Sequence, residues 1–385
     1  MHKDHTTRRG RQPGYALALA GALGVLVGCG PSSDGGTGAS AGQAGAGTGG
    51  SAGTGGDKGF GGVTIEGAAC TIAAPTLWKA GVYAVQCNVD VKDSLTIEPG
   101  AVIKFASGYH LDVNQGGSLT ATGTEHEPIV LTSIKDDAHG GDSGGDGSTT
   151  GTRGDWGCES ECGGLNIRGN GSALEYVLVL YATSGGYVQA DSVRIAHSTF
   201  AHHKAYGLVL DRRASLSDVT MDENAFFDNQ GYPLRMERAI FLNGGNLFHD
   251  PENPDTTNGK QCIELDSDID GLTMFGVTEL GFLLSGHRIR GELLLPEGVI
   301  FKSEGEPIFV EGDALFANGT NMFFTSYADD ATGGDCTGNG NTPPKAGDWT
   351  GLWIDDGQES GYAVSADYIR YPAESGTMPL PVLQL

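Results

Sequence analysis

The chain has 385 residues, 64 of them glycine, and a net charge of −25 with 18% charged side chains. So acidic a surface repels phosphate backbones and anionic headgroups, which argues against nucleic acid as a partner and favours divalent cations. Apolar runs long enough for a helix are few, and the glycine content points to short strands joined by turns, in one large domain or two ordinary ones.

The first predicted element is a leader over residues 1–28. Lys3, Arg8, Arg9 and Arg11 make its start basic, and "YALALAGALGVLV" follows as an apolar core. That core is too short to span a bilayer as a stable helix, so a cleaved signal is the better reading. "LVGC" closes it at Cys29 and resembles the bacterial lipobox. The resemblance implies that Cys29 is lipidated and becomes the mature N-terminus; an ordinary secretory signal is the alternative. The Arg8-Arg9 pair is followed by "GRQPG" instead of an apolar run, unlike a twin-arginine signal.

Residues 29–62 read as a tether. The stretch is nearly all Gly, Ala, Ser and Thr, with Phe60 its one aromatic. It has too little apolar surface to offset chain entropy and is expected to stay disordered. A flexible coil of this length holds its ends on the order of 30 Å apart. A folded body so tethered faces the medium beyond the headgroups.

Seven cysteines are odd for an exported chain, but assigning Cys29 to lipid leaves Cys70, Cys87, Cys158, Cys162, Cys262 and Cys336. Six can pair in fifteen ways. Sequence proximity favours Cys70 with Cys87 and Cys158 with Cys162, leaving Cys262 for Cys336. The rival is a zinc site, but the chain has no CxxC pair and no histidine at ligand spacing from these cysteines. An oxidising compartment is expected.

Residues 63–385 are expected to form one domain holding two related units, at about 77–182 and 278–372. "SLTATGT" at Ser118 has its counterpart in "ALFANGT" at Ala314, and "TSIKDDAHGGD" at Thr132 in "TSYADDATGGD" at Thr325. The register then runs without a gap to "GDW", ending at Trp156 and Trp349. Between the units "TFAHHKAYGLVL" at Thr199 aligns with "AFFDNQGYPLRM" at Ala225. A period in the twenties with short β-branched runs is one rung of a parallel β-solenoid, in which each rung needs neighbours to cover its apolar face.

In that order, "LTIEPGAVIKF", "SLTATGT", "IVLTSIKDD", "GGDSGGDG" and "GDW" resemble secreted and lipid-anchored bacterial proteins of the pectin-lyase-like type. The resemblance covers roughly Leu77 to Arg370 and implies an all-β fold, a right-handed parallel β-helix. It says little about activity. Six residues around "CESECG" are inserted after Trp156 relative to the second unit, where "WTGLW" runs on directly. A disulfide-closed bulge outside one rung is expected there.

The candidate metal ligands lie in the two acidic loops: Asp136, Asp137, Asp142, Asp146 and Asp155, then Asp329, Asp330, Asp335, Asn339 and Asp348. Calcium wants six to eight hard oxygens, and Asp, Asn and carbonyl oxygens on glycine-rich turns supply them. "DSGGDG" and "DCTGNG" match the first half of an EF-hand loop, but its twelfth position holds Arg153 or Ala346 where a bidentate Glu is needed. The bland alternative is a solvated Asp-Gly turn. Trp156 and Trp349 either stack on a sugar or pack over a loop. His197, His202 and His203 form the densest histidine group, but in an extended strand His202 and His203 point to opposite faces.

The fold family includes enzymes that cleave acidic polysaccharides, using acids with an Arg or Lys base, or paired carboxylates. "GHRIR" at Gly286 resembles two polygalacturonase elements fused into one, and "DRR" at Asp211 has no matching acids at recognisable spacing. The expectation is a lipid-anchored envelope protein, at the outer membrane of a bacterium, with a noncatalytic surface for polysaccharide or a cell-surface partner. The alternative is a polysaccharide lyase or glycoside hydrolase.

Overall fold

The structure, a computed structural model, describes residues 62–355 apart from 160–161, 212–214, 217, 241, 243, 271–272, 296, 312–314, 318–321 and 341. The leader, Cys29, the tether to residue 61 and Arg212–Arg213 lie outside the described residues.

Short strands alternate inward apolar and outward mixed side chains, and every few residues a turn sends the chain to the next face. The result is a right-handed parallel β-solenoid. Its first strand is Val63–Ile65, and its sheets contain seven, eleven, six, three and three strands among the described residues. Rungs stack in register, so inward residues form columns. Ile103, Leu131, Val179, Phe200 and Phe226 make one such column and are fully buried. Val91, Val113, Ile167, Val188, Leu210, Met236 and Leu265 make another on the eleven-stranded sheet. Each side chain buried this way contributes about 1.5–3 kcal/mol of transfer free energy.

The 26-residue spacing is realised as rung height: Thr199 pairs with Ala225 and Leu208 with Leu234. Polar ladders run inside the turns beside these strands. Asn229 donates through Nδ2 to Asn258 Oδ1 (2.9 Å) and to the Phe200 carbonyl (3.0 Å), and Asn224 does the same toward Asn246 and Ile195. These buried amides satisfy backbone groups that the turns leave unpaired.

The second unit is not a simple translation of the first. Gly81–Val85, Ala101–Phe105 and Ile129–Ser133 belong to the seven-stranded sheet, whereas Gly281–Leu283, Ile300–Ser303 and Phe323–Ser326 belong to the eleven-stranded one. The second unit thus enters the coil one sheet later. Disulfides join Cys70 to Cys87, Cys158 to Cys162 and Cys262 to Cys336.

Candidate functional site

The first acidic loop leaves strand Ile129–Ser133 and folds back over the outside of the seven-stranded sheet, where Gly140 lies against Val82 and Val102. Its carboxylates are occupied locally. Thr132 Oγ1 donates to Asp136 Oδ2 (2.7 Å), and His139 Nδ1 meets the same oxygen at 2.7 Å. The backbone N–H of Thr149 donates to Asp137, and those of Gly145 and Gly147 donate to Asp142. Thr149 Oγ1 reaches Asp146 at 3.3 Å. Asp155 turns the other way, accepting from Ser133, Thr152 and Lys135.

The second loop repeats this pattern. Thr325 Oγ1 donates to Asp329 Oδ2 (2.7 Å), Thr342 N to Asp330 (2.8 Å), and Gly338 N and Gly340 N to Asp335 (both 2.8 Å). Thr342 Oγ1 donates to Asn339, and Lys345 N to Asp348. Gly334, at φ +89°, lies so close to Gln261 that a Cβ there would stand 2.6 Å from its carbonyl oxygen, so only glycine fits. Cys336 ties this loop to the strand Cys262–Leu265, beside the bond from Gln261 N to the Asp335 carbonyl.

Beneath each loop lies a fully buried lysine. Lys104 stands outward between the inward Ile103 and Phe105, yet the loop covers it: Nζ donates to the Gly141 carbonyl (2.5 Å) and lies 3.8 Å from Asp137 Oδ1. Lys302 Nζ donates to the carbonyls of Asp329 (2.8 Å) and Gly334. Burial pushes both ammonium groups down in pKa, and the loop carboxylates pull them back up only in part, leaving Lys302 at about 8. Each loop therefore closes over a cation that the chain itself provides. The lysines recur four residues after Gly100 and Gly298, a signal that attention to acidic residues alone passed over.

The electrostatics of the carboxylates follow from these partners. Burial raises Asp136 and Asp155, but hydrogen bonds from His139 and Thr132, and from Thr152, Lys135 and Ser133, outweigh it and hold both below the usual range. Asp142 and Asp335 are likewise held low by backbone N–H groups of the following glycines, with Thr337 also acting on Asp335. Asp330 goes up, through burial and the neighbouring Asp335. Of the ten spacing-predicted ligands, Asp137, Asp142 and Asp146 bring oxygens within 4.8 Å of one another. Asp136 and Asp329 turn to threonines, while Asp155 and Asp348 close separate turns.

Both tryptophans of the "GDW" motif pack. Trp156 and Trp349 are buried, and Trp156 stacks on Phe105 with ring centroids 4.4 Å apart while its Nε1 donates to the Leu180 carbonyl. The histidine group does not converge. His203 points inside, heads the Asn229–Asn258 ladder, and is driven down to about 3 by burial. His202 faces out, against Asp228 (2.6 Å), and His197 pairs with Glu223 at another corner.

A second polar cluster, invisible to spacing, crosses the outside of the eleven-stranded sheet. Arg235 and Glu264 are register partners. Arg235 also meets Asp266 (2.6 Å), Glu237 (3.3 Å) and Tyr206 Oη (3.0 Å), and lies over the Tyr206 ring. Lys260 covers Tyr232 in the same way. Burial raises Glu264; Arg235 opposes the rise, and Asp266 and Glu237 reinforce it. From "GHRIR", His287 reaches Asp266 and Asp268 at 3.5 Å each, whereas Arg288 and Arg290 share Glu311 further along.

Residues 70–198 match a family described as pectate-lyase like beta helix domain. The match includes the first acidic loop and stops short of the second unit. No curated protein and no solved structure matches the chain. Likeness to this family is a statement about fold, and the chemistry rests on the side chains above.

Proposed function

We propose that the protein is a lipid-anchored component of a bacterial cell envelope, held through Cys29 at the outer membrane, whose solenoid is a noncatalytic surface for glycan binding or adhesion. One observation supports this most. The duplicated acidic loops, the natural place to seek an acid pair, spend their carboxylates on their own N–H groups and hydroxyls and close over a buried lysine. A catalytic carboxylate needs a proton to exchange with substrate, and these are committed to holding a turn. The soluble chain beginning after Cys29 should leave polygalacturonate, alginate and other acidic polysaccharides intact while binding members of a glycan panel. Turnover of any of them would sink the reading. Cys29→Ser should move the full chain from the detergent to the aqueous phase.

Calcium is proposed only at Asp137, Asp142 and Asp146, with the equivalent Asp330, Asp335 and Asn339 in the second loop. The first three bring oxygens within 4.8 Å of one another, and Asp137 Oδ1 and its counterpart Asp330 Oδ1 are buried without a hydrogen-bond donor, a hard oxygen free in each loop. Binding there stabilises the native state, so chelator should lower the thermal midpoint. An unchanged melt would make both loops plain lysine-sealed turns.

The enzyme reading finds its best support at Glu264, a carboxyl raised beside Glu237 and Asp266 on adjoining rungs. A glycoside hydrolase would use such a group as its acid. Glu264→Gln would then abolish turnover without changing the melt.

A further inference from the structure

The two units differ where their scaffold is the same. In the first, the outward positions at the middle of strands Leu111–Val113 and Leu165–Ile167 are Asp112 and Asn166, register partners on neighbouring rungs. Asn166 is fully buried because the Cys158–Cys162 insert folds over it, and Gly163 N–H donates to its Oδ1 (3.0 Å). In the second unit the same positions on strands Ile308–Glu311 and Leu352–Asp355 are Phe309 and Trp353, again register partners. The insert is missing: only Thr350 and Gly351 separate Trp349 from Leu352. Trp353 is 49% exposed, whereas Trp78, Trp156 and Trp349 are buried.

Three planar groups follow one another along this face. The Arg288 guanidinium sits 4.8 Å from the Phe309 ring centroid, and Phe309 and Trp353 lie 5.7 Å apart with their planes 34° from parallel. The charges beside them are already paired. Arg288 and Arg290 share Glu311 (2.8 and 3.1 Å), and Arg290 also meets Asp268 and Asp270. An anionic polymer would have to displace these carboxylates from the arginines against a chain of charge −25. A neutral ring with an apolar face and a rim of hydroxyls has no such cost. Its face covers the indole, and its hydroxyls meet the spare lone pairs and N–H groups of the ion pairs.

We propose that Trp353, Phe309 and Arg288 form a stacking subsite for a neutral saccharide ring, and that the first unit's counterpart is closed by its own disulfide insert. The proposal rests on the glycan-binding reading above and specifies both the place and the charge class of the sugar. Because the other three tryptophans are buried, acrylamide quenching of the intact chain reads Trp353 selectively. It should quench readily in the free protein, and neutral gluco-, xylo- or manno-oligosaccharides should protect it.

Trp353→Asn, which installs the first unit's residue, should remove the quenchable signal and weaken calorimetric binding of the protecting oligosaccharide about tenfold or more, with the melt unchanged. Protection already present without sugar overturns the proposal, since residues 356–385 or a second copy would then cover the patch. So does the absence of protection by every neutral sugar, or a preference for oligogalacturonate. If saccharide binds the Asn variant as tightly as the wild-type, this subsite falls while the glycan-binding reading stands. If no saccharide binds the wild-type at all, both fall.

Discussion

In the first unit Asn166, beside Asp112, lies under a disulfide-closed insert; in the second Trp353 holds the same position in the open, beside a half-buried Phe309. Behind each pair the Thr-to-Asp bond, the Asp-Gly turn and the sealed lysine are kept with nearly the same distances. The part that stayed constant is the part that folds the loop, and the part that diverged faces outward. A duplicated acidic cluster is therefore evidence about folding, and the outward differences are where the two units present different surfaces.

The sharpest way to break this comparison is at the lysines. Lys104→Met and Lys302→Met each strip the cation from a set of carboxylates whose innermost members, Asp136 and Asp329, are 1% and 2% exposed. Removing one partner from such a buried arrangement costs about 3–5 kcal/mol, read as a fall in the denaturant midpoint. Losses under about 1 kcal/mol in either variant would mean that the lysine does not organise its loop.

The disulfides come next. Cys262 and Cys336 are 74 residues apart and Cys158 and Cys162 only 4. Denatured-state entropy assigns roughly 4 kcal/mol to the long closure and roughly 2 to the short one. Replacing each pair by serine should reproduce that order in equilibrium unfolding. The reverse order would place the stabilising role in the insert over Asn166 instead of in the second loop's anchor.

Two positions separated by one rung give the next contrast. His203 and Asn229 occupy the same place in the turn, but only His203 titrates. Its folded pKa of about 3 is depressed from 6.5. The neutral form is the one that fits, so its stability contribution is complete above 6.5 and is lost as pH falls toward 3. One group of this kind costs about 3 kcal/mol between pH 7 and pH 4. His203→Asn extends the asparagine ladder by one member and should remove that share of the acid sensitivity. An unchanged pH profile would assign the sensitivity to other groups.

How much of this was readable in advance follows from what a repeat records. The 26-residue spacing and the alternating strands carry the rung, because burial on one face imposes a period of two and stacking imposes equal rungs. The disulfide pairs followed from sequence proximity, and of the two readings of the tryptophans the structure takes packing. Spacing does not record which sheet a strand joins, so the one-sheet offset of the second unit was hidden. It also joined Asp136 and Asp155 to a single ligand set, when the turn directs one to Thr132 and the other to Thr152. Lys104 gave no signal because its cover comes from a loop more than thirty residues later. The Arg235–Glu264 pair has a separation of 29 in sequence and contact only through the ladder.

The smallest expected effect tests whether the two loops are as alike as their bonds suggest. Thr132 and Thr325 each donate to the buried aspartate four residues on, at 2.7 Å. In the first loop His139 reaches the same Asp136 oxygen, so losing the hydroxyl leaves that oxygen partnered. A hydrogen bond to a carboxylate contributes about 1.5–3 kcal/mol, and an orphaned buried acceptor costs more than one with a second donor. Thr132→Val should therefore cost about 1 kcal/mol in urea, and adding His139→Ala should raise the loss to about 2. A double variant no less stable than the single one would mean that the histidine contributes nothing to Asp136. Thr332 stands where His139 does, so an equal loss in Thr325→Val would extend the likeness of the loops to their side-chain partners.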